Sequence, residues 1–137
     1  MKPSTQLLLL GVPAYWRMVR ALFGSSLIGY WPLTETSGTT AWDASGNGFN
    51  GTYHGPTLAQ YPAPGGRAPY FDGVNDYVNV TNAGFFSAFN ADEGSLLVLF
   101  QRKSTKAGYN TVLRLTSPTY TTDFWVYTLD TSWNIRR

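Results

Sequence analysis

At 137 residues, with 13% charged and 16% aromatic residues, 14 Gly and 8 Pro, the chain has the composition of strands joined by tight turns around one core. Its formal charge is only +2, and Arg17 and Arg20, Arg102 with Lys103 and Lys106, and Arg136 with Arg137 form no continuous stripe, which argues against nucleic-acid binding. The lack of cysteine excludes disulfides and thiolate metal sites while leaving the compartment open.

Met1-Lys2 followed by Leu7 to Leu10 imitates a secretory signal. The apolar stretch is short, Pro13 interrupts it, and Trp16-Arg17 stand where small residues should prepare cleavage. An uncleaved arm is therefore expected, with a signal peptide as the alternative. A membrane-spanning helix needs about 20 apolar residues, and Arg17 and Arg20 break any such run, so no span is expected. Val12, Tyr15, Trp16, Val19, Leu22 and Phe23 recur at spacings of three and four, which predicts an amphipathic helix within residues 1–24. Pro13 suits its first turn and Gly24 its end. Its stripe of Tyr15, Trp16, Val19, Leu22 and Phe23 must be buried, either on its own domain or on a neighbouring subunit as an assembly arm. The domain expected to follow is residues 25–137.

From Leu27 the text changes to short strands. Leu27–Leu33 reads as an edge strand with Pro32 near its end. Residues 34–51 are rich in Gly, Ser, Thr and Asn and read as loop. A short strand at 52–54 follows, and then 55–69, with four prolines, read as irregular coil. Tyr70-Phe71 leads to a turn at Asp72-Gly73, and residues 76–80 alternate as a strand. After a loop at 81–94, the apolar run Ser95–Gln101 predicts a strand buried on both faces. Thr111–Leu115 and Asp123–Leu129 complete the set, a spacing that points to an antiparallel sandwich or jelly roll.

Three pieces stand in order: YWPLTETSGTT from Tyr30, DASGNGFNGT from Asp43, and FDGVNDYV from Phe71. Together they resemble the opening half of the laminin G-like, concanavalin A-like lectin/glucanase superfamily, closely over residues 27–80 and fading through 129. The resemblance implies an all-β, antiparallel jelly-roll sandwich. The loop at Asp43 has its own physical reading: its glycines permit positive φ, and Asp43, Asn47 and Asn50 offer hard oxygen ligands of the sort calcium takes. Asp72 and Asp76 arrive from the third piece, and members of the superfamily similar to this chain often hold calcium near these loops. A Ca2+ site at Asp43, Asn47, Asn50, Asp72 and Asp76 is thus one expectation. The other is that Asp43 and Ser45 fold the loop through side-chain to backbone bonds.

Glucanases of this architecture place closely spaced acids on one strand. Here Glu35 and Glu93 are the only glutamates and both fall in loop-like text, while adjacent Asp92 and Glu93 would face opposite ways on a strand. His54 is the single histidine and has no Ser-His-Asp surroundings, so no catalytic role is expected. For glycan binding, Trp42, Tyr53, Tyr109 and Tyr120 are the candidate aromatic platforms, with core packing as their alternative role. About 110 residues follow Gly24, whereas elaborated sandwiches run to about 200 or more, so the sandwich reads as incomplete and in need of a neighbouring subunit at its edges. Modules similar to this one recur in phage and other virion proteins and in secreted bacterial proteins. The expectation is a non-catalytic structural or adhesion component of a virion, such as a phage tail or capsid-decorating protein. A secreted, extracellular carbohydrate-binding module, calcium-assisted or not, is the alternative.

Overall fold

The computed structural model describes residues 13–88, 93–103, 109–115, 124–129 and 132–136. Helix α1 (Pro13–Phe23) begins where the missing N–H of Pro13 is not needed, and it ends at Gly24, whose φ of 54° opens a 3-10 turn over Gly24–Ser26. Tyr15, Trp16 and Val19 are half-buried, whereas Met18, Leu22 and Phe23 are exposed. Arg17 and Arg20 lie over the Trp16 ring at 5.5 and 5.9 Å from its centroid. The first half of the stripe thus packs within the chain: a β-carbon placed on Gly65 would meet the Tyr15 ring at 3.7 Å, and one on Gly46 would meet the Arg20 guanidinium at 3.0 Å. Residues 1–12, with Val12 of the expected stripe, lie outside the described residues. No helix among the described residues is long and apolar enough to cross a membrane.

Leu27–Leu33 is not a strand, contrary to its pattern. Pro32 has no N–H to donate, and Leu33 takes a φ of 53°, outside the range of a regular ladder. The backbone groups of this stretch bond instead to the loop at 43–50. Ala44 N donates to Tyr30 O at 2.7 Å, and the Asn47 amide donates to the carbonyls of Leu27 and Ile28 at 3.0 and 2.9 Å.

Strands β1 (Thr40–Ala41), β2 (Gly51–His54) and β5 (Tyr77–Asn79) form an antiparallel sheet in the order β1-β2-β5. Thr40 pairs with Thr52 and Thr52 with Asn79, while His54 pairs with Tyr77. Alternation puts Gly51 and Tyr53 inside and Thr52 and His54 outside. Between β2 and β5 runs a hairpin of β3 (Thr57–Ala63) and β4 (Gly66–Tyr70), where the four prolines predict coil. Two of those prolines explain the difference. Pro64 precedes Gly65, whose φ of 88° completes a two-residue turn with proline first and glycine second. Pro69 falls opposite a bulge in β3, where a missing N–H costs least. The Arg67 side chain donates to the carbonyls of Ala59 and Gln60 at 2.7 and 2.8 Å, satisfying acceptors that the bulge takes out of the ladder.

The expected loop at 81–94 contains helix α2 (Ala83–Ala88), capped by Asn82, whose side-chain oxygen accepts from Gly84 N at 2.8 Å. It delivers Phe85 to the core, edge-on to Trp31 and Phe49 with centroids at 5.4 and 5.8 Å. The Trp31 ring in turn lies so close over Gly29 that a β-carbon there would collide with it.

The chain divides into two compact units, 1–91 and 92–137. In the second, β6 (Tyr109–Leu115), β7 (Phe124–Leu129) and β8 (Ser132–Arg136) form an antiparallel sheet in that order, with one extra residue in β6 between Thr111 and Leu113. Two of these strands match the sequence pattern, and β8 accounts for the closing stretch. Ser95–Gln101 departs from expectation: it is neither strand nor buried. The described regular structure is mostly antiparallel strand, as composition predicts.

Candidate functional site

Asp43 organises the first loop. Its Oδ1 accepts from the backbone N–H of Tyr30 (3.0 Å) and Ser45 (2.8 Å), and its Oδ2 from Ser45 Oγ (2.8 Å) and Phe49 N (2.9 Å). Asn50 Oδ1 accepts from Asp43 N at 2.9 Å, and the buried Ser45 hydroxyl accepts from Asn47 N at 3.2 Å. Burial by itself raises the Asp43 pKa, but the bonds from Tyr30, Ser45 and Phe49 outweigh it and hold the carboxyl below its ordinary value. The remaining expected calcium ligands form a separate small turn, in which Asp76 Oδ2 accepts from Asp72 N at 2.9 Å and Asp72 Oδ1 from Val74 N at 2.7 Å. As placed, the five residues do not make one ligand set. The Asp43 oxygens face N–H and O–H hydrogens, which a cation would have to displace. Among the described residues, no three His, Cys, Asp or Glu side chains are grouped to hold a metal ion.

Glu35 performs a similar structural task that the sequence reading missed. Its Oε1 accepts from Trp42 N at 2.9 Å and its Oε2 from the Tyr53 hydroxyl at 2.6 Å. Tyr53, one of the expected ligand platforms, is only 6% exposed and faces inward, so it is a core residue rather than a binding surface. Burial, then the Glu35 hydrogen bond and charge, push its phenol pKa up. Tyr120 lies outside the described residues, and Tyr109 enters only as the first residue of β6.

Trp42 is 60% exposed. It continues the alternation of β1, with Ala41 buried before it, onto the outer face of the β1-β2-β5 sheet. At the other end of that face His54 stacks on its cross-strand partner Tyr77, with ring centroids 4.4 Å apart and planes 15° from parallel. Asp76 packs against Gly55, where no β-carbon would fit, and so fixes the strand ends that carry the pair. Between the aromatic ends lie Thr40, Thr52 and Asn79 in one cross-strand row. Four residue steps separate the ends, about 13 Å. The stack is not legible beforehand, because only the β2–β5 register reveals which residue opposes His54.

Comparison with protein-family models, with curated proteins and with solved structures gives no match for this chain.

Proposed function

We propose that the chain is a non-catalytic adhesion component of a structural assembly of the virion type, a phage tail or capsid-decorating protein, built on a concanavalin A-like jelly-roll sandwich. Its sugar-binding surface is the outer face of the β1-β2-β5 sheet. The observation that carries the reading is the row of exposed Trp42, Thr52 and Asn79, half-buried Thr40, and the exposed His54–Tyr77 stack. A pyranose offers an apolar C–H face and a rim of hydroxyls. Flat aromatic surface suits the first, and threonine hydroxyls and an asparagine amide suit the second. The sandwich itself is supported by the three motifs of residues 30–78.

The absence of chemistry is supported by how the acids are used. Glu35, Asp43, Asp72 and Asp76 each accept a hydrogen bond from a backbone N–H, the work of acids that hold loops. A secreted carbohydrate-binding module would use the same face, but as a monomer. Binding to an immobilised glycan array tests the site. The wild type should retain at least one glycan class, and the His54→Ala/Tyr77→Ala variant should lose at least tenfold in affinity with its circular dichroism unchanged. Equal binding by both proteins, or no retained glycan, would remove the proposal.

A further inference from the structure

The outer face of the β1-β2-β5 sheet carries two separate aromatic surfaces. Trp42 stands at one end, and the His54–Tyr77 stack, in which Tyr77 is 50% exposed, stands at the other. Along the strands the two are four residue steps, about 13 Å, apart. They also belong to different strands: Trp42 follows β1, whereas His54 lies in β2 and Tyr77 in β5, so the line joining them crosses the sheet diagonally. One pyranose ring spans less than half that distance. A single sugar therefore covers one aromatic surface or the other, never both.

That separation sets the size of the ligand. A ring laid on one exposed aromatic surface keeps much of its own surface in water, whereas a sugar pocket encloses its ligand. One such contact is weak. A chain of linked sugars that reaches both surfaces makes the second contact intramolecularly, so the two multiply in affinity. About three linked units fill about 13 Å. The middle one lies over Thr40, Thr52 and Asn79, whose hydroxyls and amide suit its hydroxyl rim. Both ends of the row are exposed, so the chain runs on past them and its own ends need not be present.

The same six residues set its charge. Thr40, Trp42, Thr52, His54, Tyr77 and Asn79 include no acid, lysine or arginine. The acids adjacent to them in sequence, Asp43 and Asp76, are engaged by backbone N–H groups. A carboxylate or sulfate laid on this row would shed water and gain no fixed opposite charge in return.

We infer that the sheet face takes an uncharged, linear glycan, gripped along its length and running diagonally from Trp42 to the His54–Tyr77 stack. This deepens the sugar-binding reading and rests on it. Calorimetric titration of the wild type with chains of two to six units, cut by partial hydrolysis from a glycan that the array retains, is the test. Affinity should rise about tenfold or more from two units to four, as the second aromatic surface is reached, and level off beyond. It should stay the same from low to high salt. In Trp42→Ala the rise should vanish, with four units bound no better than two. The wild-type series decides the matter even where that variant fails to fold. Equal affinity from two units to six would overturn the inference while leaving the sheet face a sugar site. So would retention only of charged glycans, lost with salt, or only of branched chain ends. Failure to retain any glycan removes both ideas, and the array reads that outcome before the titration begins.

Discussion

Replacing Asp43 by alanine removes the acceptor of four hydrogen bonds, three of them from the backbone amides of Tyr30, Ser45 and Phe49. A hydrogen bond to a charged group contributes about 1.5–3 kcal/mol when well buried. Asp43 is half-exposed and water can replace part of each bond, so the sum is discounted to about 2–4 kcal/mol. Asp43→Asn keeps one acceptor oxygen and should lose about half as much. Urea unfolding followed by tryptophan fluorescence is a suitable assay, since the Trp31 indole donates to Phe49 O beside the loop at 2.8 Å. With a denaturant slope of about 1–2 kcal/mol per molar, Asp43→Ala should lower the midpoint by more than about 1 M. Because the Asp43 pKa is lowered on folding, its contribution is present above the ordinary carboxyl value of about 4. That contribution disappears as the pH falls through the lowered value. An alanine variant that unfolds within 0.5 M of the wild type, as an order-of-magnitude limit, or that keeps the same acid sensitivity, would refute this account of the loop.

Three further outcomes follow from the same geometry. Tyr53→Phe should cost about 1–2 kcal/mol. It should also abolish a stability loss that the wild type shows above pH ~10, because the raised phenol pKa keeps Tyr53 stabilising below that pH and not above its folded value. Alkaline urea titrations check both. Gly65→Val places a β-branched residue at a φ of 88° and should lower stability by about 1–3 kcal/mol in thermal melts. Calcium or EDTA should leave the wild-type urea midpoint unchanged; a rise with calcium would show a cation bound that the hydrogen bonds of Asp43 leave no room for.

What the sequence made legible was local. Pro13 and Gly24 bracket α1, the short strand at 52–54 and the alternation at 76–80 match β2 and β5, and Thr111–Leu115 and Asp123–Leu129 match β6 and β7. The loop at 43–50 was legible as a loop, and the side-chain bonding open to Asp43 and Ser45 is what the structure shows there. Misread segments failed where a non-local partner decides. The prolines of 57–70 suggest coil until one sits in the turn and another opposite a bulge whose carbonyls Arg67 takes. Leu27–Leu33 has strand composition, but its acceptors serve Asn47 and Ala44. Tyr53 is an expected platform and His54 is not, and only the pleat decides that Tyr53 points inward to Glu35 while His54 meets Tyr77 outside. The run at 96–100 has the apolarity of a buried strand, yet it is neither strand nor buried, because apolarity alone does not say which neighbour a segment meets.

The central claim is that the outer face of the β1-β2-β5 sheet binds sugar without altering it. Amide and side-chain NMR shifts recorded while titrating a glycan retained on the array test this most directly. The account predicts shifts concentrated at Trp42, Thr40, Thr52, His54, Tyr77 and Asn79, with the glycan recovered intact. Shifts centred elsewhere in the chain, or cleavage of the glycan during the titration, would contradict it.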